Sequence, residues 1–269
     1  MSADGSALRV ERRGAVAVLT FDRPAVLNAL DLATARALLA ASRTAMADDS
    51  VRAVLLRGAG RAFMAGGDVA TFLAPAPGAS RSPAERPVAA LMGALHEALV
   101  VLTTGPKPVL AAVHGAVAGA GVSVMLAADL AVAADDARFT LAYTRLGTSA
   151  DGGATWSLPR VVGLRKAMEI ALLNPVLDAA EAHRLGLVNR VVPAAEFAAE
   201  AEALAARLAE GPTHAYGAMK RLLRDSSGRD LSGQLAAESA SFLACADTAD
   251  FREGVEAFLG KRPPRFGGG

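Results

Sequence analysis

A chain of 269 residues can bury a large core without disulfide or metal staples. A hydrophobic fraction of 52% with only 4% aromatic residues favours close-packed helices and parallel strands over a β-sandwich or a disordered chain. Lys+Arg 28 against Asp+Glu 27 leaves a net charge of +1, so no broad basic field exists for a polyanion, and nucleic acid is not an expected partner despite the locally basic "GKRPPRF". The lone Cys245 has no internal disulfide partner, the start "MSADGSALRVERR" lacks the apolar core of a signal peptide, and the apolar run "PVLAAVHGAVAGAGVSVMLAAD" is broken by His, Ser and Gly. A cytoplasmic protein without a membrane span is the expectation.

In chain order, "LRVERRGAVAVLTFDRP" alternates and turns at Arg13-Gly14, which predicts a hairpin whose second strand, Ala15 to Phe21, is largely buried. "DLATARALLAASRTAMADDS" places Leu32, Ala35, Leu38, Leu39 and Met46 at helical spacing behind Asp31 as N-cap. A strand, "VRAVLLRG", leads through the turn "AGRAFMAGGD" to a helix expected to start at Asp68. The pattern repeats as "KPVLAAVHG", "AVAGAG" and "VSVMLAADL", so a parallel-type sheet with helices packed on it is expected, its two Gly-rich turns side by side. Between the units, "APAPGASRSPAERP", Ala74 to Pro87, reads as a mobile flap. From about Pro193 the chain becomes helical, which divides it into a core, 1–192, carrying the site and a helical extension for assembly, 193–269.

Glycines at Gly66 and Gly67, and at Gly115, Gly119 and Gly121, allow the backbone to approach a ligand with its N–H groups pointing inward. A helix just beyond each turn adds a positive dipole end, so paired turns make an anion cradle. One such turn reads as close helix–strand packing; two in succession favour the cradle. Neither matches G-x-x-x-x-G-K-[ST] or G-x-G-x-x-G.

The segments "FDRPAVLNAL", "GAGRAFMAGGDV", "KPVLAAVHGAVAGAG", "AADLAVAADDARF", "SADGGATWSLPRVVG", "AHRLGLVNRVV" and "FREGVEAFLGKRPPRF" together resemble the crotonase superfamily, the enoyl-CoA hydratase/isomerase family, over nearly the whole chain. The resemblance implies an α/β spiral of strand-strand-helix turns, a homotrimer or hexamer, and an acyl-CoA thioester as the substrate. Coenzyme A belongs to that substrate, and no further cofactor is implied. The thioester carbonyl would sit between the N–H groups of Gly67 and Ala120, which stabilise the enolate oxyanion as it forms. It also places the CoA moiety near Arg23, Val26, Ala65, Gly66 and Asp68, with Phe258 and Lys261 reaching the nucleotide, often from a neighbouring subunit.

Family hydratases carry two glutamates, and matching puts Ser123 and Tyr143 at their positions. Hydration needs a base for water and an acid for the α-carbon, and neither Ser nor Tyr replaces a carboxylate near neutral pH. Asp151 lies eight residues past Tyr143, in a loop where isomerase branches of the family also carry an acid, the phenylacetyl type being the most similar in pattern. A double-bond shift needs one base that removes and returns one proton, so one carboxylate suffices. Thr155, Trp156 and Leu158 would wall the pocket, and Asp151 also suits a helix N-cap. Ser123 reads as a small residue making room, and Tyr143 as a pocket residue that shapes the site or bonds the substrate.

His96 reads first as a solvent-edge or packing histidine of an apolar helix. It also falls where the similar 4-chlorobenzoyl-CoA dehalogenases have a histidine, with an aspartate nucleophile at the place of Asp151. Those enzymes have an indole where this chain has Tyr143 and a bulky aromatic where it has Gly67. His114 is expected to reach a backbone carbonyl, and His183 and His214 have no partner at metal spacing, so no metal site is expected. Alternatives to an isomerase are thus an aryl-CoA hydrolase using Asp151 as nucleophile, or a silent CoA-thioester binder.

Overall fold

The computed structural model describes residues 7–73 and 87–269. The flap read at 74–87 lies outside the described residues except for Pro87, which opens a helix.

Strand β1 (Leu8–Arg13) turns at Gly14, whose φ of 57° lies in the left-handed region, and returns as the wholly buried β2 (Val16–Phe21). Helix α1 (Leu32–Ala47) follows, with Ala35 and Leu38 fully buried. Asp31 caps it by accepting the Thr34 amide at 2.8 Å. Burial opposes ionisation of Asp31, but the Thr34 amide and hydroxyl and the Arg23 charge outweigh it and hold the carboxyl below the usual range. Asp31→Ala should therefore cost about 1 kcal/mol, read as a lower urea midpoint. A carboxyl that ionises more readily when folded stabilises above its unfolded pKa, and that contribution is lost as pH falls through the folded value. The gap between native protein and variant should therefore be full at neutral pH and shrink below about pH 4.

Two sheets organise the rest. The larger has six strands in the order β1-β2-β3-β5-β7-β10, comprising β3 (Ala53–Gly58), β5 (Val109–Val113), β7 (Leu130–Ala134) and β10 (Arg190–Val192) beside the hairpin. It is parallel throughout except for β1 on β2. The smaller runs β4-β6-β8-β9, from β4 (Ala62–Met64), β6 (Ala116–Ala118), β8 (Arg138–Thr140) and β9 (Leu177–Asp178). Strands β3, β5 and β7 are thus each followed by a short strand in the other sheet. The chain then enters α2 (Pro87–Thr104), α3 (Ala120–Ala127), or the pair α4 (Ala154–Val162) and α5 (Leu164–Leu173). The repeating unit is therefore strand-strand-helix, as the family resemblance implied. The helix expected at Asp68 is instead a short 3-10 segment, Val69–Leu73. The Leu130 end of the third predicted helix belongs to β7, because Ala128 already has extended geometry.

Helix α6 (Ala179–Arg184) precedes β10, and α7 (Phe197–Glu210) lays Ala201, Ala205 and Ala209 on the outer face of the larger sheet, against Val18, Leu55 and Val132. The helical stretch read from 193 thus begins with a helix that is itself a core layer. Helix α8 (Thr213–Asp225) is pinned by the buried Lys220, which donates to Leu102 O and Lys107 O and pairs with Asp129 at 2.8 Å. Helices α9 (Leu231–Ala246) and α10 (Ala249–Leu259) complete the chain and carry exposed Leu231, Phe242, Leu243 and Phe258. Among the described residues, no helix is long and apolar enough to cross a membrane.

Candidate active site

The two Gly-rich turns touch. β4 and β6 pair in parallel, and a Cβ added to Gly119 would lie 3.4 Å from Gly66 Cα. Gly119 caps α3 at φ 50°, ψ −118°, a conformation in practice reserved for glycine, and the helix starts at once with Ala120. As the first residue of its helix Ala120 has no intrahelical acceptor for its N–H. Gly67 bridges Leu30, where Leu30 N donates to Gly66 O and Asp68 N to Leu30 O. Among the described residues, neither the Gly67 nor the Ala120 amide has an intramolecular acceptor. Two unspent donors on adjoining turns can bind a developing oxyanion.

Asp151 stands in the loop between the 3-10 turn Tyr143–Leu146 and α4. Its carboxylate Oδ1 lies 2.6 Å from His96 Nε2, and the side chains are 24% and 48% exposed, so the pair is partly open to solvent. They line a cleft of about 470 Å³ with Leu99, Val100, Thr155 and Trp156. The cap of α4 is Gly153, with no side-chain bond, so Asp151 is directed at His96 rather than spent as an N-cap. Leu158 faces the buried core at 3% exposure and does not wall this cleft. Arg160 stacks 4.1 Å above the Trp156 ring and holds one wall. Gly67 and Ala120 do not line it; what joins Ala120 to Asp151 is α3.

That junction was not foreseen. Ser123, buried at 1% exposure in the first turn of α3, donates from Oγ to the Asp151 main-chain carbonyl at 2.8 Å. Tyr143 Oη lies 3.3 Å from the same oxygen and 3.2 Å from Ser123 Oγ. Burial pushes the Tyr143 phenol above its ordinary value, with the Asp151 charge adding to the effect, so it stays a protonated donor at neutral pH. Both residues thus stand behind the Asp151 loop, and neither lines the cleft. A small polar residue in an apolar helix was the sequence signal; its partner could not be read.

The predicted CoA-side residues fall into separate groups. Arg23 pairs with Asp31 at 3.2 Å and Asp68 at 3.3 Å, and Ala65 N donates to Leu27 O, which lays the Arg23 to Asn28 loop along the first Gly turn beside exposed Val26. Phe258, 83% exposed, and Lys261 sit at the end of α10, and among the described residues no hydrogen bond or ion pair joins them to that loop. His114 Nε2 meets Gly60 O at 2.9 Å, the carbonyl contact expected of it. The described residues contain no cluster of three or more His, Cys, Asp or Glu able to hold a metal.

A two-sheet spiral of strand-strand-helix units with facing amide-bearing turns defines a crotonase-type acyl-thioester fold. Residues 11–269 match the family model for enoyl-CoA hydratase/isomerase, and the chain belongs to that family. It is 42% identical over 261 residues to a Rhodobacter capsulatus protein named "probable enoyl-CoA hydratase", covering 97% of this chain and 98% of that one. It is 38% identical over 259 residues to the Escherichia coli 1,2-epoxyphenylacetyl-CoA isomerase, covering 94% and 95%. The crystal structure of an enoyl-CoA hydratase from Polaromonas sp. JS666 superposes with a TM-score of 0.89 at 36% identity, covering 96% of this chain and 99% of that one.

Proposed function

We propose that the protein is an acyl-CoA isomerase that moves a double bond from the 3- to the 2-position of an enoyl thioester, or rearranges a ring-derived thioester of the phenylacetyl type. Asp151 takes a proton from C2, the electron pair moves onto the thioester oxygen between the Gly67 and Ala120 amides, and collapse of the enolate returns the proton at C4. The observation that carries this reading is the carboxylate count. Asp151 lines the cleft, while Ser123 and Tyr143 stand where the hydratase glutamates are expected and are bonded to its main chain. Trp156 and His96 would flank the acyl group. Coenzyme A would lie along Arg23, Val26, Ala65, Gly66 and Asp68, and Phe258 and Lys261 would reach the nucleotide of a neighbouring subunit in a homotrimer or hexamer. Exposed Phe242, Leu243 and Phe258 support such assembly. No cofactor beyond the substrate's CoA is needed.

The test is absorbance at the conjugated thioester after adding a 3-enoyl-CoA, beside crotonyl-CoA hydration. Isomerisation should exceed hydration by at least about 100-fold, one general acid–base residue's worth; the reverse ratio would overturn the reading. The 2.6 Å His96–Asp151 contact also suits a second reading, in which Asp151 attacks the halogen-bearing ring carbon of an aromatic acyl-CoA, halide leaves, and His96 takes a proton from the water that cleaves the resulting aryl ester. A protein mass increased by the benzoyl-CoA less its halogen after mixing with a 4-halobenzoyl-CoA would establish it.

A further inference from the structure

The loop that carries Asp151 has little of its own to hold it. Gly147, Gly152 and Gly153 all have positive φ, at 71°, 63° and 74°, so the direction of the intervening carboxylate is not set by regular structure. Beyond one long bond from the Ala154 amide at the start of α4, 3.4 Å from the Asp151 main-chain oxygen, the hold on it comes from outside, at that same oxygen. Ser123 Oγ spends its single proton there at 2.8 Å. The Tyr143 proton goes either to the same oxygen at 3.3 Å or to Ser123 Oγ at 3.2 Å, and both options tie the phenol into the same junction. The contact is close, since a Cβ on Gly152 would meet Ser123 Cβ at 2.8 Å. Ser123 also lies three residues after Ala120 on α3, so one rigid helix presents the oxyanion donor and grips the loop of the base.

We propose that Ser123 and Tyr143 are positioning residues: two hydroxyls that clamp the Asp151 carbonyl and thereby aim its carboxylate into the cleft, against His96. The proposal rests on the reading of Asp151 as the base. It leaves Ser123 no role as a nucleophile, because its proton is committed to a main-chain carbonyl. It also gives the two departures from the hydratase pattern a shared purpose.

The experiment compares native protein, Ser123→Ala, Tyr143→Phe, the double variant and Asp151→Asn. It reads kcat and KM on a 3-enoyl-CoA, and long-range imidazole nitrogen–proton spectra with His96 assigned through His96→Gln. Each clamp variant should lower kcat about 10-fold, and the double at most about 100-fold, since small misplacement of a reacting group is enough to do so. KM should move less than about two-fold, and the His96 signals should shift toward their positions in Asp151→Asn. Tyr143→Phe removes one hydroxyl and leaves the ring, so its melting temperature separates loss of the clamp from loss of the fold. Native kcat in both single variants, a change in KM alone, or native His96 signals where Asp151→Asn moves them would overturn the clamp. Full turnover by Asp151→Asn would instead overturn the base, and the His96 spectra would still decide whether the hydroxyls aim that side chain.

Discussion

Asp151→Asn should lower kcat on a 3-enoyl-CoA by about 10²- to 10⁴-fold if Asp151 is the proposed base, the range of a single general acid–base residue, with KM and stability little changed. The amide keeps the shape of the side chain and leaves the main-chain carbonyl free to accept from Ser123 and Tyr143, so the loop stays where it is. Its carboxamide cannot take a proton from carbon. Stability should move little because the His96–Asp151 pair is partly exposed, and exposed pairs contribute about 0–1 kcal/mol. Steady-state kinetics with a urea titration of both proteins make the check. Turnover that survives the change would place the base elsewhere and reduce Asp151 to a loop residue.

Gly121→Ala should damage fold and chemistry together. A Cβ there would lie 2.3 Å from Met64 O, a backbone atom of β4 that cannot rotate away. Helix α3 must then lift from the strand, and the Ala120 amide moves with it relative to Gly67. Overpacking of this kind costs about 1–3 kcal/mol, and losing one oxyanion donor costs about 10²–10³ in kcat. Gly93→Ala in α2, where nothing lies within 4 Å of the added carbon, is the control and should fold at least as well as the native chain. A Gly121→Ala protein that is less stable but turns over at the native rate would show that Ala120 does not hold the oxyanion.

Strands β1, β2, β3 and β5 of the larger sheet and the first helix are legible because their signals are local, whereas β7 and β10 are not. β2 is a continuous apolar run behind a Gly turn, and α1 shows its period and its Asp31 cap. The second strands are not either. β4, β6 and β8 have three residues each, too few to display an alternation, so β4 and β6 read as parts of turns and β8 gives no signal of its own. Pairing with one another is what makes them strands. The glycines of the cradle could be picked out for the same local reason as Gly14. The His96–Asp151 contact could not, because it spans 55 residues and depends on how α2 packs on α3 beside the Asp151 loop. The hydroxyl junction escaped because a serine in an apolar helix looks alike whether it fills space or makes a bond.

The fit of Gly152 against Ser123 also bears on how such a site could change its chemistry. A glutamate at position 123 needs the volume that the aspartate loop now fills, and position 123 is closed to solvent. A carboxylate at that position of α3 and the Asp151 loop in its present path are thus rivals for one space. On the isomerase reading proposed above, the choice of reaction is therefore held by packing as well as by the identity of the catalytic groups, and moving this scaffold toward hydration would have to begin with the loop's path.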